Sequence, residues 1–375
     1  MLSPTTLILS NKYNSIKESF LFLVRAGLGF SESYSPNTTD WQSIKAIADV
    51  QGLSAVVLDG INLLSETKQS SLNTQLKLEW IGEVIQNYEQ RYIAYEHALS
   101  TLAGFYNAHG FKMMILKGYA CSLDWPIPNH RPCGDIDIWQ FGQQKEADAA
   151  LEASFEVQNP SLKIDNSHHH HTVFDWQGFS VENHYDFLNV HHHKSNVEME
   201  LILKELGKDD SHTVNVNGER IFLPSANLHA LFLLRHNMSD FASAGLSLRQ
   251  LLDWGFFAQR HREQINWQWL ETKMEYFGMK KLYDIFNAIC VGELGFDASI
   301  FPCVQFNPDL KDRILNDIIF PEFSEIEKGG FVSRAIYKYR RWKANGWKHE
   351  LCYKESMWSA FWSGVWGHLL KPKTI

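Results

Sequence analysis

Apolar positions recur at helical spacing near the start of the chain, where Ile16, Phe20, Leu23 and Val24 share one face. Thr39-Asp40-Trp41-Gln42 resembles a capping box opening a helix that Gly52 ends, and a second helix begins near Ala55. Residues 70–108 carry a long helical pattern almost free of breakers, closed by His109-Gly110. The period changes at Phe111. Residues 112–116 form a short apolar run suited to a buried strand, and residues 135–139 alternate polar and apolar, which predicts a half-buried strand. A helix is expected over 142–153. Two strands follow over 172–176 and 179–187, joined at Gln177-Gly178, and Asn217-Gly218 within 214–222 is a strong hairpin signal. After Pro224 the helical period returns. One helix starts at Ser225 or Asn227 and runs through His236, a second covers 246–260, and others continue to residue 293.

This pattern predicts an α+β chain with helical regions on both sides of a small mixed sheet. The expected divisions are an N-terminal helical region (1–110), an α+β core (111–224), a helical domain (225–300), and an irregular segment with a basic, Trp-rich helical tail (301–375). With 375 residues, 45 % of them hydrophobic and 21 % charged, the chain can bury a sizeable core. The formal charge of -8 argues against duplex nucleic acid as a partner. Five scattered cysteines without a CxxC pair argue against a zinc ribbon or a disulfide framework and fit reduced thiols. Neither a signal peptide nor a spanning apolar segment is evident, so the expected location is the cytoplasm.

The strongest chemical signal is Gly134-Asp135-Ile136-Asp137. Two aspartates at i and i+2 on a strand face the same way, with Cα atoms roughly 6.5 Å apart at the rise of a β-strand. Both carboxylates can then reach one or two divalent metals, while Ile136 and Ile138 point into the core. Alone, such a pair is a common surface pattern. Here Leu116-Lys117-Gly118 and a loop with Arg131 precede it, and they supply positive charge and a close backbone approach for phosphate.

Leu116-Lys117-Gly118, Arg131 and Gly134-Asp135-Ile136-Asp137-Ile138 together resemble the core signature of the uncharacterised nucleotidyltransferase family, in the polymerase-beta-like nucleotidyltransferase superfamily. The usual Gly-Ser of that superfamily is replaced by Lys117-Gly118-Tyr119. The resemblance implies the minimal nucleotidyltransferase fold and a bacterial enzyme that moves a nucleotidyl group from a nucleoside triphosphate to a small-molecule, sugar or protein acceptor. It also implies Mg²⁺ or Mn²⁺ and a third carboxylate. Residues 179–186 resemble the family's acidic-x-His strand, which maps onto Glu182 and His184, with Asp186 as fallback. The expected catalytic and metal-binding residues are thus Asp135, Asp137 and Glu182, and the nucleotide-binding residues Lys117, Gly118, Arg131 and His184. A catalytically inactive nucleotide-binding protein of this fold is the alternative.

Three further features have competing readings. Arg235-His236 and residues 248–253 sit on predicted helices; Arg249 and Asp253, four apart, fit an intrahelical ion pair, while in the family this region resembles a helix-pair motif lining the nucleotide cleft. Histidines 168–171, 184 and 191–193 suggest a His-rich metal-dependent hydrolase as a lesser rival, although adjacent histidines on a strand point in different directions. Trp358, Trp362 and Trp366 recur at helical spacing beside a basic segment. Such a stripe either packs on its own domain or contacts a membrane surface or a protein partner.

Overall fold

The computed structural model describes residues 4–30, 40–69, 71–155, 162–191, 193–302, 306–323 and 330–370. The N-terminal helices Pro4–Gly27, Trp41–Gln51 and Ser54–Asn62 pack together, and Asp40 caps the second by accepting a hydrogen bond from Ser43 N at 3.2 Å. Thr39, the first residue of the expected capping box, lies outside the described residues. Crossing of the first and third helices requires glycine. A Cβ on Gly27 would lie 1.9 Å from Val56 O, and one on Gly60 would lie 2.1 Å from Leu23 O. The long helical run expected next is divided into Thr74–Val84, a π-helical turn over Ile85–Gln90, and Arg91–Ala108.

Six strands form one mixed sheet: β1 (Met114–Ile115), β2 (Ile136–Trp139), β3 (His171–Trp176), β4 (Phe179–His184), β5 (Thr213–Val216) and β6 (Glu219–Phe222), in the order β3-β4-β2-β1-β6-β5. The β2–β4 and β1–β6 pairs are parallel and the others antiparallel, so both the mixed sheet and the expected α+β class are present. Alternation along the strands gives the sheet two apolar faces. Ile115, Ile136, Ile138, Phe174, Val181 and Ile221 pack with Tyr95, Leu99 and Tyr106 of Arg91–Ala108. Met114, Trp139 and Phe222 face the other way, toward Phe187, Met199, Leu203 and Phe232. β2 is therefore buried along its whole length rather than half-buried.

On the first face, Asp148 of helix Gln144–Phe155 locks sheet to helix, accepting from Asn183 Nδ2 at 2.8 Å and Thr172 Oγ1 at 2.7 Å. On the second face lie helices Lys194–Leu206 and Ala226–Ala242. The sequence pattern had placed no element over the former. The segment expected to be irregular, 301–321, contains helix Pro308–Ile319. Its proline stands in the first turn, where no amide hydrogen is needed, and Asn307 Oδ1 accepts from Leu310 N at 2.9 Å. Among the described residues no helix is long and apolar enough to cross a membrane.

Candidate active site

The chemistry gathers where β2 and β4 run side by side. Their parallel register sets Asp137 opposite Glu182 and Trp139 opposite His184, so residues 45 apart in sequence become neighbours on the second face. Asp137 Oδ1 lies 2.8 Å from Lys117 Nζ and 3.2 Å from His184 Nε2. His184 Nε2 is also 3.6 Å from Glu182 Oε2, and His171 Nδ1 is 3.7 Å from the same oxygen. Asp137 is only 6 % exposed, whereas the Glu182 side chain retains 26 %. Asp135 stands just before β2 and is exposed.

The backbone around these groups is pinned. Tyr95 OH donates to Asp135 O at 3.0 Å. Gly118 follows Lys117 at φ +55°, and a Cβ there would meet Tyr95 OH at 3.2 Å and Asp135 O at 3.5 Å. Gly118 is thus the glycine the geometry requires, while a Cβ on Gly134 would meet nothing within 4 Å.

Burial pushes the Asp137 carboxyl up, but Lys117 and His184 outweigh it and hold the group well below the usual carboxylate range. Burial pushes Lys117 down, and Asp137 more than restores it. His184 is likewise raised, because bonding to Asp137 and Glu182 overcomes burial. Asp135 is raised by burial and by the negative charges of Glu182 and Asp137. Burial drives His170 to about 2 and His171 to about 4, so both are neutral imidazoles.

Could these residues hold a cation? The ligand atoms of Asp137, Glu182 and His184 all lie within 4.8 Å of one another. His184 Nδ1 is 3.2 Å from Asp186 O, and donation there leaves Nε2 turned toward the carboxylates, the orientation a metal-binding imidazole needs. Two carboxylates and one imidazole form a donor set suited to a divalent cation. The residues fit.

Residues 37–291 match the family described as uncharacterised nucleotidyltransferase. The chain belongs to this family. Its members are grouped as enzymes of nucleotidyl transfer, and a nucleotide is therefore the expected substrate class. No curated protein matches the chain. An antigenic nucleotidyltransferase-like protein from Paracoccidioides brasiliensis superposes with a TM-score of 0.33 at 15 % identity, over 55 % of this chain and 95 % of that one.

Within this nucleotidyltransferase, the structure brings Lys117, Asp137, Glu182 and His184 together, with Asp135 and Gly118 at the rim. It does not bring Arg131. That guanidinium is buried, with Nε and Nη2 on Asp253 at 2.9 and 2.8 Å and Nη1 on Pro132 O at 2.9 Å, so it has no face left for phosphate. The expected Arg249–Asp253 intrahelical pair is accordingly absent, since Asp253 is taken by Arg131 and by Trp125 Nε1 at 2.8 Å. Arg249 Nη1 donates instead to Pro132 O at 3.2 Å. Asp186, the fallback carboxylate, lies past the end of β4 and pairs with Lys204.

Two residues near the site, Arg91 and Asp240, were not singled out from sequence, whereas His236 stands in the helix-pair region noted there. Arg91 is exposed, donates through Nε to Cys133 O at 3.2 Å, and lies close enough to lower Asp135 electrostatically. His236 and Asp240 of helix Ala226–Ala242 pair at 3.2 Å, and both act on Lys117 or feel its charge. Arg235, next to His236, is turned away and buried against Asn196 and Cys352 O. His192 lies outside the described residues.

Proposed function

We propose that this site transfers a nucleotidyl group from a nucleoside triphosphate to the hydroxyl of a small-molecule, sugar or protein acceptor, with Mg²⁺ or Mn²⁺. The observation that carries the reading is the in-register placement of Asp137 and Glu182 on parallel strands, with Lys117 bonded to Asp137. Asp137, Glu182 and His184 would hold the cation, with Asp135 as the further carboxylate at the rim. The imidazole in this set favours Mn²⁺ over Mg²⁺, because magnesium prefers oxygen donors. A bound cation would neutralise triphosphate charge and strengthen the acceptor as a nucleophile.

The chain's own groups do the rest. Lys117 is held protonated by Asp137 and keeps part of its side chain exposed, where it can take up phosphate charge. Arg91 supplies a second cation at the Asp135 end, the role the sequence pattern gave to Arg131. Gly118 lets the turn after Lys117 pack against Tyr95 OH and Asp135 O, which fixes the backbone on either side of the Lys117–Asp137 pair. Glu182, kept ionised by His184 against the effect of burial, can accept the proton of an acceptor hydroxyl. Catalysis then rests on positioning and electrostatics, with no covalent enzyme intermediate required.

The test is thermal stabilisation by each nucleoside triphosphate with Mn²⁺, followed by a pyrophosphate-release assay across acceptor libraries. Stabilisation together with release, both lost in Asp137→Asn, supports the reading. Stabilisation without release from any acceptor points to a nucleotide-binding protein that does not turn over.

A further inference from the structure

The C-terminal end carries a charge opposite to that of the whole. Residues 329–375 hold nine Lys or Arg against two Glu, in a chain whose formal charge is -8. Helix Phe331–Ala344 leaves Ile336 and Tyr339 exposed, and helix Met357–Leu370 leaves Trp358 and Trp362 more than 60 % exposed, with Phe361 between them. Trp342 joins the two helices, its ring 6.1 Å from Tyr339, 5.2 Å from Trp358 and 5.9 Å from Phe361. Phe361 continues the strip to Trp362 at 5.5 Å. In sequence the same spacing runs on through Val365, Trp366 and Leu369, whose side chains lie outside the described ones.

Trp342 packs the two helices together through one side of the strip, yet Trp358, Phe361 and Trp362 each keep more than two fifths of their surface exposed. The C-terminal segment is seated through other contacts: Arg235 Nη1 donates to Cys352 O at 3.1 Å and stacks over Tyr353, Ser195 N donates to Glu355, and Lys348 pairs with Asp317 at 2.5 Å. The exposed rings face outward, and the helix that carries Trp342 also exposes the cations Arg334, Lys338, Arg340 and Lys343. None of these four is in an ion pair among the described residues. Indole and phenyl rings beside uncompensated cations match a surface that is apolar beneath and anionic above.

We propose that this face docks the protein on an anionic lipid bilayer. Trp358, Phe361 and Trp362 enter the boundary between headgroups and acyl chains, while Arg334, Lys338, Arg340 and Lys343 lie against lipid phosphates. The contact is peripheral, and it stands whether or not the candidate site transfers nucleotides.

Co-sedimentation of the full chain with vesicles of phosphatidylcholine, with and without added phosphatidylglycerol, tests it. Binding is expected to the anionic vesicles and to fall steeply with salt. Arg340→Gln with Lys343→Gln should weaken partitioning roughly 30-fold, from the usual contribution of a basic residue near a charged membrane. Trp358→Ser with Trp362→Ser should reduce it by at least tenfold, with circular dichroism and thermal unfolding showing that each double variant remains folded. Failure to bind anionic vesicles, equal binding to neutral ones, or indifference to the tryptophan pair would each overturn the proposal. Concentration-dependent dimerisation abolished by the tryptophan pair, without vesicle binding, would also overturn it and assign the face to a second copy of the chain.

Discussion

Arg131 and Asp253 offer the sharpest mutational test of how the loop before β2 is held. Both are about 95 % buried and they meet through two parallel hydrogen bonds of 2.9 and 2.8 Å, while Trp125 Nε1 adds a third at 2.8 Å to the same carboxylate. Removing one partner of such a pair leaves a buried charge without compensation, which costs about 3–5 kcal/mol. In Asp253→Ala the Trp125 donor is stranded as well, adding about 1 kcal/mol. Arg131→Met should cost a similar amount, by leaving Asp253 ionised in the core. The paired change Arg131→Met with Asp253→Leu removes both charges and should be less destabilising than the sum of the single changes by at least ~2 kcal/mol. Urea unfolding of the four proteins measures this directly. Because Arg131 has no free face, the folded Arg131→Lys protein should bind triphosphate within about threefold of wild type, a difference under ~1 kcal/mol. Small, additive stability losses, or a tenfold loss of triphosphate affinity in Arg131→Lys without unfolding, would show that Arg131 reaches phosphate after all.

Other expectations follow from the same geometry. Lys117→Met should weaken triphosphate binding by at least tenfold in calorimetry, because a charge-assisted contact is worth about 1.5–3 kcal/mol; unchanged affinity would remove Lys117 from the phosphate site. Gly118→Ala should cost about 1–2 kcal/mol from its left-handed φ and disturb the Tyr95–Asp135 contact, so a neutral result in denaturation would contradict the packing described. Buried His229 is held neutral, its pKa lowered by burial to about 3. The unfolded chain takes up that proton near pH 6.5 and the folded chain does not, so this contribution to stability is complete above pH 6.5 and declines as pH falls toward 3. Between pH 7 and 5 the loss from His229 is about 2 kcal/mol; His229→Gln should flatten the decline by that amount, and an unchanged slope would contradict the assignment.

Much of the site was readable in the chain, because period two along 135–139 and 179–184 does place Asp137, Glu182 and His184 on one face. What the pattern could not supply was partnership across distance. Arg131 looked like a phosphate ligand because it stands three residues before Gly134, whereas its actual partner, Asp253, is 122 residues away. The same contact removed the local pairing of Asp253 with Arg249, a case of tertiary structure overriding the i, i+4 rule. Helix Lys194–Leu206 was hidden for another reason. Met199 and Leu203 are buried while Val197 and Leu201 are exposed, so apolar residues occupy both faces, and His193 provides no side-chain cap. In the Pro-containing stretch 301–321, expected to be irregular, Pro308 instead starts a helix. His236 and Asp240 join the site only because helix Ala226–Ala242 packs on the sheet face that carries Asp137.

The most direct measurement follows the two ends of the triphosphate separately. Protein incubated with cell extract and Mn²⁺ receives either α-labelled or γ-labelled nucleoside triphosphate, and the acceptor fraction is counted. Nucleotidyl transfer requires that α-label appear in the acceptor and γ-label in pyrophosphate, with both signals absent from a folded protein carrying Asp137→Asn and Glu182→Gln. Retention of α-label transfer in that double variant, or γ-label in the acceptor, would contradict the site and the reaction assigned to it.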